Sequence, residues 1–230
     1  MQSFINALSL PIIIATVVLF VAAGIIWLFW DHGFNKLKSP EEWKDAGSSG
    51  EQTIYLYLRD KVHIPENQIF RNVYIPTQNG KTSEIDILVL SKKGILVFEC
   101  KNYSGNIYGD RNRKKWIQYL GKQKNYFYNP FLQNDGHVKS LRDYLNAYGD
   151  ILITPFIVTI AKGNWKVRNL KSDDYLLGYN SHLEEIYAKM PDSELMARHF
   201  KAIAETLTPL SRPGEEIKEK HIEQIRNGNA

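Results

Sequence analysis

Cysteine is nearly missing: Cys100 is the only one among 230 residues. That excludes an intramolecular disulfide and leaves no Cys cluster for a structural zinc site, so a reducing compartment is expected. Low-complexity tracts and internal repeats are absent, and apolar and charged residues are in globular balance, which argues against a disordered chain. Net charge is scarce too. A total of +4 does not mark a nucleic-acid or membrane partner, so any such reading rests on where the positive residues cluster. The six histidines are scattered, with no pair at metal-ligand spacing backed by a third ligand. His137, four residues beyond Gln133, is given no role. No helix-turn-helix or zinc-finger spacing occurs.

One long apolar run is present. Ile12 to Trp30 is uncharged and, at about 19 residues, would reach about 28 Å as a helix, close to the hydrocarbon thickness of a bilayer. Its Ile, Val, Leu and Phe residues favour insertion by on the order of 4–7 kcal/mol, and Trp27 and Trp30 sit where an interfacial belt would be. A cleaved signal peptide fits less well, because no Lys or Arg precedes the run and no Ala-x-Ala site follows it. A buried core helix would show a polar stripe, and none is seen. Lys36, Lys38 and Lys44 follow the run, so the positive-inside bias places the N-terminus outside and the rest in the cytoplasm. The expected location is the cell membrane, with a single pass through the lipid bilayer at residues 12–30.

Beyond it the pattern is that of a mixed α/β domain. Gly47-Ser48-Ser49-Gly50 reads as a flexible break, followed by a helix from Glu51 to about Lys61 in which Ile54, Leu58 and Val62 recur at spacing four. Strands are expected at Ile69–Ile75, Glu84–Leu90, Ile95–Lys101 and Ile151–Ile160, with helices at Gln133–Tyr148, Asp192–Leu207 and Glu215–Arg226. These shifts divide the chain into a membrane segment (1–31), a linker (32–49), a globular domain (50–170) and a helical extension (171–230).

The two central strands flank Ser91-Lys92-Lys93-Gly94 and read as a hairpin. With Leu90 facing Ile95, antiparallel pairing puts Asp86 opposite Glu99 and Glu84 opposite Lys101. Alternation then projects all four charges from one face, alongside Leu88, Leu90, Ile95 and Val97. The other face carries Ile85, Ile87, Val89, Leu96, Phe98 and Cys100. Carboxylates whose Cβ atoms are about 5 Å apart repel one another and need a counter-charge. Lys101 supplies part of it; a divalent cation with hard oxygen ligands, or ordinary salt bridges at a solvated strand end, would supply the rest. Spacing alone leaves both open.

Several motifs in this order resemble a known family: Gly50-Glu51, Glu84-Ile85-Asp86, Glu99-Cys100-Lys101-Asn102 with Gly105, and Asn129-Pro130-Phe131-Leu132-Gln133. Together they are similar to the NERD (nuclease-related) domain of the PD-(D/E)xK nuclease superfamily, over about Gly50 to Tyr148. Ile85 stands where the superfamily's name has Pro, as is usual in this family. The resemblance implies a restriction-endonuclease-like mixed central sheet flanked by helices, here preceded by one transmembrane helix. It implies that Asp86 and Glu99 ligate Mg²⁺ or Mn²⁺, with the carbonyl of Cys100 and with Glu51, and that Lys101 orients or deprotonates the attacking water. It also places Gln133 near the site. Read only as residues, Glu51 is equally a first-turn acid favoured by the helix dipole, and Gln133 a polar helix start.

Between Asp110 and Tyr128, Arg111, Arg113, Lys114 and Lys115 stand beside Trp116, with further Lys and Tyr residues after them. Basic groups attract phosphates and exposed rings stack on bases, so this segment is a candidate nucleic-acid surface. A plain solvated surface with Trp116 and Phe127 turned into the core is the other reading. The function expected is a membrane-anchored, metal-dependent nuclease acting on DNA or RNA, with DNA the first choice. The alternatives are a catalytically silent binding module and a tether working through its C-terminal helices.

Overall fold

The computed structural model describes residues 46–178, 181–211 and 215–228. The apolar run at 12–30 and most of the linker lie outside these residues; among the described residues no helix is long and apolar enough to cross a membrane. The described residues form one compact unit.

The chain runs α1 (Ala46–Asp60), β1 (Ile69–Pro76), β2 (Thr82–Ser91), β3 (Gly94–Lys101), β4 (Gly105–Asp110), β5 (Lys115–Leu120), β6 (Gln123–Tyr128), α2 (Pro130–Tyr144), β7 (Ile153–Thr159), β8 (Gly163–Arg168), β9 (Tyr175–Gly178), α3 (Leu183–Lys189), α4 (Glu194–Leu207) and α5 (Glu215–Gly228). Short 3₁₀ turns lie between some of these. A five-stranded mixed sheet has the order β1-β2-β3-β7-β9, antiparallel through β3 and parallel from there. The fold is therefore mixed α/β, as expected. A second, four-stranded sheet in the order β6-β5-β4-β8 has no counterpart in the expected strands.

Both faces of the central hairpin are buried, because β3 lies mid-sheet with helices on either side. Leu88, Leu90, Ile95 and Val97 join Leu141 and Leu145 at the end of α2 and Met196, Ile203 and Leu207 of α4. Ile87, Val89, Leu96 and Phe98 join Ile54 and Leu58 of α1 and Leu183 of α3. Within residues 171–230, β9 is a strand of the main sheet, and α4 packs on its core.

Two local expectations need correction. The Gly47–Gly50 stretch is not a break, since α1 already runs through it from Ala46. Gly50 is buried, and a Cβ there would sit 3.2 Å from the Ile160 side chain, so this glycine permits close helix packing instead of chain flexibility. Ile85 packs with Leu88 and Leu90, not with Ile87 and Val89. The alternation of β2 is interrupted between Ile85 and Ile87. On β1 the opposing residue, Asn72, has φ 48° and is skipped by the ladder, which resumes at Val73↔Ile85. A left-handed residue kinks a strand locally and turns the side chains beyond it to the other face.

Candidate active site

The kink sets up the site. The register of β2 and β3 is the one expected, with Leu90↔Ile95 and Ile87↔Phe98, but the ladder stops at that last pair. Beyond it the Asp86 side chain takes over from the backbone, its Oδ2 accepting the Cys100 N–H at 2.7 Å. Asp86 is thereby aimed across the opening between the strands. On β3, Lys101 Nζ reaches back 2.5 Å to Glu99 Oε1 and donates to Gln133 Oε1 at 3.1 Å. Gln133 stands there because α2 is fixed at both ends of its first turn. Asn129 caps it, accepting the Phe131 N–H at 2.9 Å, and buried Asn134 donates to the Val97 and Phe156 carbonyls of β3 and β7, each at 3.2 Å. Asp86, Glu99, Lys101 and Gln133 are thus brought together. Glu51 approaches from α1, its Oε2 accepting from Asn72 Nδ2 at 3.2 Å.

Charge at the site is out of balance. Burial pushes the Asp86 carboxyl well above its usual range, and the neighbouring Glu99 charge adds to the rise. Glu51 is raised as well, by burial first and then by the nearby Glu84 and Glu99 charges against the opposing pull of Asn72 and Arg71. Glu99 goes the other way: burial would raise it, but His137 and Lys101 together hold it below its usual value. Lys101 stays firmly charged, because the attraction of Glu99 and Asp86 overcomes its burial. Burial also raises the Cys100 thiol, so only its carbonyl suits a hard cation. Among the described residues no group of three or more His, Cys, Asp and Glu side chains stands together as a metal site. The donors nevertheless fit Mg²⁺ or Mn²⁺, which need one or two carboxylates and take the remainder from carbonyls, water and substrate phosphate. Glu99 Oε2 is buried with no hydrogen-bond partner, and Asp86 carries an ionisation penalty that a cation would remove.

A pH dependence follows. A carboxyl raised in the folded state contributes stability that is full below the ordinary aspartate range and is lost as pH rises through the raised value. Asp86→Asn keeps an oxygen for the Cys100 N–H and removes that loss. In chelator at neutral pH the variant is expected to melt higher than the parent, with the gap closing in acid where Asp86 is protonated. Added Mg²⁺ is expected to raise the melting temperature of the parent only. Melting curves across pH, with and without metal, check both.

The opening is one wall of a cleft of about 490 Å³ that Glu84, Asp86, Tyr128, Gln133, His137 and His221 help to line. Two of these residues escaped sequence reasoning. His137, left without a role, faces Glu99 with Nε2 3.2 Å from Oε2, although the two atoms do not form a hydrogen bond. Its Nδ1 is 2.8 Å from Ser83 Oγ. The i, i+4 spacing from Gln133 was the available signal, since it puts both on one helix face. His221, from α5, lies 3.3 Å from Glu84 Oε2 and 2.7 Å from Thr82 Oγ1, edge-on to the Tyr74 ring. Tyr74 in turn donates to Glu84 Oε1 at 2.6 Å. No local pattern in the C-terminal helix announced it. Glu84, expected beside Lys101, belongs to this outer group.

Residues 46–160, half of the chain, match the nuclease-related domain (NERD) family. The chain belongs to that family. An uncharacterized Bacillus anthracis protein is 28% identical over 193 residues, 83% of this chain and 87% of that protein. No solved structure matches. Membership implies a nuclease-related function, and domains of this class commonly use divalent metals.

The basic residues of this NERD domain fall into two sets. Arg111 is buried and spoken for: its Nε donates to Asp174 at 3.0 Å and its Nη2 to Asp135 at 2.9 Å, and its guanidinium lies over the Phe131 ring. Trp116 is fully buried, its indole N–H donating to the Asp110 carbonyl at 3.0 Å. Neither offers a surface to substrate; both hold the second sheet against α2. Arg113, Lys114 and Lys115 are exposed at the start of β5.

Proposed function

We propose that the chain is a metal-dependent nuclease that hydrolyses the phosphodiester bonds of nucleic acid, with DNA as the polymer, from the cytoplasmic face of a membrane that residues 12–30 span. The observation that carries this reading is the meeting of Asp86, Glu99, Lys101 and Gln133 at the opening of the β2–β3 ladder. Asp86 and Glu99 would hold Mg²⁺ or Mn²⁺, with the Cys100 carbonyl and Glu51 as further donors. When bound, such an ion supplies Lewis-acid polarisation of the phosphoryl oxygen and a more acidic water.

The residues of the chain do the rest. Lys101, charged and held between Glu99 and Gln133, presents a donor to the attacking water or to a non-bridging phosphate oxygen, where negative charge grows in the transition state. Gln133 steadies that ammonium. His137 braces Glu99 from the side opposite Lys101 and, through Ser83, ties it to β2. Restriction-endonuclease-like architecture is part of this proposal, supported by the antiparallel β1-β2-β3 sheet continued by parallel β7 and β9.

The test is cleavage of linear, circular and single-stranded DNA, and of RNA, with Mg²⁺, Mn²⁺ or chelator. Glu99→Ala is expected to lose metal-dependent cutting, and unchanged cutting by that variant would sink the reading. One observation favours a second reading, a silent binding module: Glu99 is already ion-paired inside the protein by Lys101. Binding of nucleic acid without metal and without turnover would establish it.

A further inference from the structure

The second sheet has one filled face and one bare face. Ile107, Trp116, Phe127, Trp165 and Val167 turn inward against Phe131 and Ile157. Strand alternation sends the intervening residues outward. In register across the four strands stand Lys166, Tyr108, Ile117 and Tyr126, and in the neighbouring rows Tyr119 faces Lys124 and Lys115 faces Tyr128. Tyr126, Tyr128 and Tyr108 are 59%, 50% and 43% exposed.

Scattered exposed tyrosines are ordinary. These three occupy β4 and β6, separated only by β5, and cations stand over the rings: the Lys124 ammonium is 5.1 Å from the centroid of Tyr126 and 5.9 Å from that of Tyr119, and that of Lys166 is 5.7 Å from Tyr108. An open depression between Tyr108 and Tyr119 has Ile117 on its lining. The acidic group at the end of β4, Asp110, is already shared by Asn169 at 3.0 Å and Arg168 at 3.7 Å. Tyr128 belongs to two surfaces at once, because it also lines the cleft that holds Asp86 and Gln133.

We propose that this outer sheet face binds a single strand of nucleic acid, stacking unpaired bases on Tyr108, Tyr126 and Tyr128 while Lys115, Lys124 and Lys166 hold its phosphates, and that Tyr128 hands the strand to the cleft. The proposal rests on the nuclease reading for the identity of the polymer. It narrows the substrate to unpaired strands, because stacking on a side chain requires a base whose π-face is not covered by its neighbours in a duplex. Phosphate charge matches the lysines, and base–aromatic stacking tolerates any sequence.

The experiment is fluorescence anisotropy of the full chain in detergent, in chelator so that nothing is cut, with labelled oligo(dT) long enough to cross the sheet and with a duplex of equal length. Oligo(dT) is expected to bind more tightly than the duplex. The triple variant Tyr108→Ala, Tyr126→Ala, Tyr128→Ala is expected to weaken oligo(dT) binding by about tenfold or more, and the matching triple Phe variant to retain it. Lys124→Glu, on an exposed side chain, is expected to weaken it as well and to steepen no duplex preference. Retention of oligo(dT) binding by the triple Ala variant, or a duplex preference in the parent, would overturn the proposal. The two readings separate cleanly. A parent that binds oligo(dT) through its tyrosines but never cuts refutes only the hydrolytic reading; one that cuts single strands equally well without them refutes only the platform.

Discussion

Lys101→Met is expected to abolish metal-dependent cleavage and to destabilise the fold at the same time. The ammonium is the closest counter-charge to a carboxylate that is only 1% exposed. Removing one partner of a buried pair strands the other, at a cost of about 3–5 kcal/mol. Loss of a positioned proton-transfer or charge-stabilising group costs about 10²–10⁴ in rate. The two effects come apart in the double variant Lys101→Met with Glu99→Gln, which removes both charges: urea midpoints are expected to recover toward the parent while cleavage stays absent. A Lys101→Met protein with the parent's midpoint would mean that Glu99 takes up a proton at little cost, and would undo the account of its depressed pKa.

Trp116→Ala is expected to cost about 3–5 kcal/mol, the range for truncating a buried Trp or Phe. The ring packs against Phe127, Phe131 and Trp165, and a Cβ on Gly109 would lie 2.4 Å from it, so only glycine fits on that side. Phe131 sits on α2 two residues before Gln133 and six before His137. Loosening the second sheet therefore loosens the helix that positions the site, and cleavage is expected to fall with stability. Tyr126→Ala, two residues from the end of β6 and outward-facing, is expected to leave the melting temperature near that of the parent. Thermal melts of both variants check the division between a structural ring and a surface ring in one segment of chain.

That segment shows why some of the fold was legible in the sequence and some was not. The hairpin could be read because its apolar residues are continuous on both faces and its loop is short, so register followed from pairing Leu90 with Ile95. The helix at α2 could be read from its period, and the NERD motifs from their order. β4, β5 and β6 could not, because their inner residues include Gln118 and Asn125 and their outer ones are mostly Lys and Tyr; the alternation is real but carries little contrast in hydropathy. Gly50 read as flexibility because a glycine's local preference is the same whether it bends a chain or lets two elements touch. Ile85 read onto the wrong face because strict alternation cannot foresee a left-handed residue, Asn72, on the neighbouring strand.

By itself, then, the sequence determined the elements whose signal is local and strong: the β2–β3 register as far as Ile87↔Phe98, the two strands that carry Asp86 and Glu99, and the helix that carries Gln133. Tertiary structure alone decided that Arg111 is consumed by Asp135 and Asp174, that His137 meets Glu99, and that α5 delivers His221 to Glu84. The physical reason is range. Periodicity and turn chemistry act over a few residues, whereas the use made of a charge or a ring depends on which distant segment is packed against it, and that is settled only when the cores on both faces of the sheet close.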